Sequence, residues 1–214
     1  IIIVLSMLIS SVAIAQKHNI VNASIALRNA KKATGDDIGV LLAEAKDYID
    51  LAYSNESTSN EPKMWNYRAP IYLEIALKKP ELDNKAILKA TDSYIKCLTK
   101  GKKDRIIVRK WTPKEDVLAG LIQCGYKLFN LGIDKYNEGD YQSSLDFYEK
   151  IFAIVPFDEE DQLKRGNITQ ETILYNSFFS SSKLKNDTKS KELLQKLIDI
   201  NFNEPSIYIQ MSDI

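Results

Sequence analysis

Residues 130–156 read NLGIDKYNEGDYQSSLDFYEKIFAIVP. Two apolar stretches flank a tight Gly139-Asp140-Tyr141, and Pro156 closes the second. The reading is a helical hairpin. Helices that pack at close range need a small residue where they cross, with large side chains filling the space around it. Ser144 supplies the small residue here, Tyr148 the large one and Ile151 the next apolar contact. One such hairpin cannot bury its apolar face alone, so the fold is decided by whether the pattern recurs.

It recurs. The same spacing of four then three appears as Ala45, Ile49, Ala52, as Ala90, Tyr94, Cys97 and as Ser190, Leu194, Leu197. From Ala45 to Ala90 is 45 residues, from Ala90 to Ser144 is 54 and from Ser144 to Ser190 is 46. Each triplet is preceded by a further helical segment. Residues 20–33 are amphipathic, residues 64–76 carry Trp65, Ala69 and Tyr72, and residues 170–184 carry Tyr175 and Phe178. Pro70 falls inside the second of these segments and should kink it. Residues 99–111 (TKGKKDRIIVRKW) and 157–168 (FDEEDQLKRGNI) break the pattern. The first is a basic loop with a short β-like RIIV. The second is an acidic loop or acidic helix start. Thr112-Pro113 between them reads as an N-cap and first helical residue.

The hairpin at 130–156 resembles a tetratricopeptide repeat. Leu131-Gly132 stands at the family's first-helix Leu-Gly pair and Gly139-Asp140-Tyr141 at its inter-helix turn. Ser144 replaces the small Ala, Tyr148 fills the aromatic position and Pro156 ends the unit. Lys135 replaces the first-helix Tyr and Leu128 the early aromatic, while Arg68 stands where Leu is usual in the preceding repeat. The family repeat is 34 residues long, so the wider spacing here implies long loops or extended helices. The segment 58–76 (TSNEPKMWNYRAPIYLEIA) resembles exported tetratricopeptide-like proteins of Bacteroidota. The resemblance implies an all-α fold, a tetratricopeptide-like right-handed α-solenoid of about four antiparallel helix pairs. Tyr208, Met211 and Ser212 suggest a fifth pair begun and a chain that continues past residue 214. It also implies a concave face lined by the first helices, with partner contacts at Phe129, Ile133, Tyr136, Asn137, Tyr175, Phe179 and Lys183. Phe129 and Phe179 read equally well as core between repeats.

Residues 1–15, IIIVLSMLISSVAIA, are uncharged and end in a small-x-small site before Gln16. They fit a secretory signal peptide and fall short of the roughly 20 residues that span a bilayer. The expectation is an exported protein, periplasmic or outer-membrane associated, with residues 16–214 as the helical repeat domain. Cys97 and Cys124 both fall on apolar helix faces and read as core thiols rather than a disulfide.

Lys plus Arg balance Asp plus Glu at 29 each, so no global field favours nucleic acid or an anionic membrane. With His18 as the single histidine, His-based triads and His-rich metal sites are excluded, and no phosphate-cradling or dinucleotide motif occurs. No cofactor is expected. The function expected is a non-enzymatic scaffold for a protein or peptide. The alternatives are a glycan- or cell-wall-binding module using Trp65, Tyr67 and Tyr72 as exposed platforms, or the helper region of a longer enzyme. Lys102, Lys103, Arg105, Arg109 and Lys110, with Lys100 and Trp111, form a basic run that reads as an exposed solvated loop or as a contact for an acidic partner, a lipid headgroup or nucleic acid.

Overall fold

The structure, a computed structural model, describes residues 17–202 together with Glu204 and Ile209; the side chain of Lys102 lies outside the description. The signal-peptide reading of residues 1–15 and the fifth-pair residues Tyr208, Met211 and Ser212 lie outside it too.

Among the described residues all regular secondary structure is helical. Helix α1 covers 17–30 and α2 Asp37–Ser54. Then follow α3 (Pro62–Lys78), α4 (Ala86–Cys97), α5 (Lys114–Asn137), α6 (Tyr141–Phe152), the short α7 (Gln162–Arg165), α8 (Gln170–Lys183) and α9 (Asp187–Asp199). The four spacing triplets fall on α2, α4, α6 and α9, and all twelve residues are buried. The chain divides into two compact units, residues 1–121 and 122–214.

In the first unit α2 packs on α3 and α3 on α4. A charged cluster lies between α2 and α3. The Arg68 guanidinium lies 2.8 Å from the Asp50 carboxylate, and the Tyr72 hydroxyl donates to the same oxygen at 2.5 Å. Arg68 is sandwiched between the rings of Tyr53 (4.1 Å) and Tyr72 (4.4 Å). At the Leu position of the resembled repeat the chain therefore holds a buried cation with its own counter-ion. Pro70 removes one backbone donor, yet α3 runs on through it from Pro62 to Lys78.

In the second unit α6 packs on α8 and α8 on α9. Gly139 turns the chain after α5 with φ +83°, and Asp140 caps α6 by accepting from the Ser143 amide at 3.2 Å. Gly132 brings α5 against α6: a Cβ there would meet the Tyr148 ring at 2.7 Å. The Ser144 hydroxyl donates to the Gly132 carbonyl at 2.8 Å and lies 2.9 Å from Ser180 on α8. Ser181 and Ser190 repeat this hydroxyl contact between α8 and α9 at 2.8 Å. Small hydroxyls at the crossings let backbones approach while satisfying one another in place of water.

Two local expectations need correction, and a third is resolved. RIIV forms no strand; among the described residues that loop has one isolated bridge, Lys100 to Ile106, because no neighbouring strand is offered. The helix after Pro113 begins at Lys114, one residue later than the sequence reading. Of the two readings of 157–168 the acidic helix start applies: the Asp158 carboxylate accepts from the Gln162 and Leu163 amides, both at 2.8 Å, at the start of α7.

Cys97 and Cys124 are buried and are not joined in a disulfide. Burial pushes the Cys97 thiol up to about 12. Neither should react with a thiol-specific reagent at neutral pH in the folded protein, and both should react at once in denaturant. One fast-reacting thiol in the native state would contradict that burial.

Candidate partner-binding site

The second unit holds a cavity of about 410 Å³. Helix α5 lines it with Ile133, Tyr136 and Asn137, α6 with Tyr148, and α8 with Asn176 and Phe179. The spacing explains the convergence. Positions i, i+3 and i+4 on α5 share one face, as do i and i+3 on α8. Tyr148 fills the floor because Gly132 leaves room for its ring.

Four of the seven residues expected on the concave face meet at this cavity: Ile133, Tyr136, Asn137 and Phe179. The other three lie elsewhere. Phe129 packs edge-on against Tyr148 at 5.8 Å between ring centres. Tyr175 stands edge-on to Phe179 at 4.6 Å and also touches Phe202 at 5.4 Å, so it buttresses a lining ring. Lys183 is exposed in the last turn of α8. Phe129 serves packing, whereas Phe179 does both: it lines the cavity and packs on the core cluster that includes Phe178 and Leu194.

Tyr148 and Asn176 are lining residues that the sequence reading did not assign to a partner. Tyr148 had been given to packing, and it does both. Asn176 sits one turn before Phe179 among serines, and the only available signal was that spacing.

The walls are mostly apolar, with two amides among them. Asn137 is exposed and Asn176 half-buried, and neither side-chain amide bonds to a described residue. Burial pushes the Tyr148 phenol up to about 12; the Ser144 hydroxyl works against this and the Asp134 carboxylate adds to it. The phenol is therefore protonated at any physiological pH. Charge stays at the edge, where Asp134 is exposed and Lys135 pairs with Glu138. The cavity thus offers an aromatic and aliphatic slot with neutral hydrogen-bonding groups and no ionised group in its lining. Among the described residues no cluster of three His, Cys, Asp or Glu is placed to hold a metal ion.

The glycan reading required Trp65, Tyr67 and Tyr72 to face solvent. Tyr72 is fully buried, its hydroxyl committed to Asp50. Trp65 and Tyr67 are half-buried, and Trp65 stands edge-on to Tyr53 at 5.5 Å. Three exposed platforms are not available there, because Tyr72 is on the core side of α3.

In the basic loop Lys103, Arg105, Arg109 and Lys110 are exposed, and none of the four forms an ion pair with a described residue. Lys100 is paired with Asp104 at 2.9 Å. No helix among the described residues is long and apolar enough to cross a membrane. No protein-family model, curated protein or solved structure matches this chain.

Proposed function

We propose that the chain is a tetratricopeptide-like right-handed α-solenoid of four helix pairs, α1/α2, α3/α4, α5/α6 and α8/α9, acting as a non-enzymatic scaffold. Its partner is a protein of the bacterial cell envelope, held by an extended peptide segment. The export reading of residues 1–15 supports the compartment. The observation that carries the binding role is the cavity formed by Ile133, Tyr136, Asn137, Tyr148, Asn176 and Phe179.

Its chemistry suits a peptide. Apolar rings and Ile133 take one large uncharged side chain out of water. Each free amide offers one acceptor and one donor group, matching the C=O and N–H of a peptide unit. A volume of about 410 Å³ accommodates a side chain with its flanking backbone.

A photo-crosslinking amino acid at position 133 in the full-length protein, expressed in its own cells, tests this. The expected result is one dominant protein adduct, absent when the probe sits at the exposed Glu56. Phe179→Ala should weaken capture by roughly tenfold, the effect of removing a buried aromatic anchor. No protein adduct, or one indifferent to Phe179→Ala, would sink the scaffold reading.

A further inference from the structure

The 99–111 loop is not an unstructured tether between helices. The Gly101 amide donates to the Arg105 carbonyl at 2.8 Å and the Ile107 amide to the Thr99 carbonyl at 3.0 Å, closing it like a small hairpin. Val108 is fully buried beneath it, and the Trp111 amide donates back to the Val108 carbonyl at 2.8 Å. The loop is pinned at its base, and what it holds outward is unusual for a chain of zero net charge. Lys103, Arg105, Arg109 and Lys110 are exposed within eight residues, none ion-paired to a described residue. Trp111 follows with 39% of its surface in water, and the Lys110 ammonium stands 5.9 Å from its ring centre. Ile106 and Ile107 are half-buried.

We propose that this loop docks the protein onto the surface of an anionic lipid bilayer. Exposed cations paired to no described residue suit a plane of many phosphate headgroups better than a single carboxylate. Tryptophan adds the side chain that settles at the boundary between headgroups and acyl chains, its ring apolar and its N–H polar. The site lies in the first unit and uses none of the cavity residues, so it stands or falls independently of the peptide-binding role.

The test is binding of the full chain to vesicles, with brominated lipid as a quencher of tryptophan fluorescence. Vesicles of phosphatidylcholine alone are compared with vesicles carrying phosphatidylglycerol. The apolar residues 1–15 can bind both compositions, so the readout is the preference for the anionic one. The expected result is a clear anionic preference that disappears at high salt, with quenching that is lost in Trp111→Phe. Each cation near an anionic surface contributes about fivefold in binding (about 1 kcal/mol), so Arg105→Gln with Arg109→Gln should reduce the preference about 25-fold. Both side chains are exposed, and an unchanged urea midpoint verifies that the variant is folded. Equal binding to the two compositions, or an anionic preference unchanged in the variant, overturns the proposal. A response of Trp111 to poly-glutamate without anionic preference also overturns it and assigns the loop to an acidic polypeptide.

Discussion

Asp50→Ala should lower the stability of the protein by about 3 kcal/mol, read as a lower urea midpoint. The substitution removes few atoms. Its cost arises from what it abandons: Arg68, with only 7% of its side chain exposed, loses its counter-ion, and the buried Tyr72 hydroxyl loses its acceptor. Stranding a buried charge typically costs about 3–5 kcal/mol. The lower figure applies because a third of the Asp50 side chain reaches water. Replacing both partners, Asp50→Ala with Arg68→Met, should restore the part of the loss due to the stranded charge, since a well-packed apolar substitute for a buried ion pair is often neutral or better, and leave the part due to the Tyr72 hydroxyl. If the double variant is as unstable as the single one, the penalty is not an orphaned charge.

The same cluster sets an acid limit. Burial alone pushes the Asp50 carboxyl up. Hydrogen bonds from Tyr72, Lys46 and Arg68, together with the Arg68 charge, outweigh this and hold it below its ordinary value of 3.8. A carboxyl lowered by folding contributes stability that is fully present above its unfolded value and fades as pH falls through the folded one. The urea midpoint of the native protein should therefore fall more steeply below pH 4 than that of the double variant.

Tyr148→Ala should cost about 3–4 kcal/mol, the usual range for emptying a buried aromatic site. The sharper expectation concerns its neighbour. Gly132→Ala should destabilise the native protein by about 2 kcal/mol, because the new methyl would sit 2.7 Å from the Tyr148 ring. In the Tyr148→Ala background the same change should stabilise by up to about 1 kcal/mol, since Ala favours helix over Gly and the ring is gone. The sign of Gly132→Ala thus depends on Tyr148, and a double-mutant cycle measures it. Equal effects in both backgrounds would mean that the ring does not need the space Gly132 leaves.

The helical fold was legible because its signals are local. A triplet of small, large and apolar residues on one helix face reports a close crossing wherever it occurs. All four triplets are buried where the spacing placed them, on α2, α4, α6 and α9. The serine-rich α8 was the hardest helix to read. Its buried face carries Ser177, Ser180 and Ser181, polar letters that act as small packing residues once paired with carbonyls and other hydroxyls. Hydrophobic patterning cannot see such a face.

The sequence by itself determined the order of the main helices and, α8 apart, the register of their apolar faces, since these follow from side-chain periodicity along one segment. The resemblance put Ile133, Tyr136, Asn137, Tyr175 and Lys183 on one face and left Phe129 and Phe179 between that face and the core. Only the tertiary structure decided which of those side chains converge, because convergence depends on the approach of α5, α6 and α8, set by Gly132 beneath the Tyr148 ring and by the Ser144–Ser180 contact. It likewise turned Tyr72 from a candidate surface platform into core and gave Arg68 its reason. Both outcomes rest on Asp50, which lies 18 and 22 residues away in sequence, beyond the reach of any local pattern.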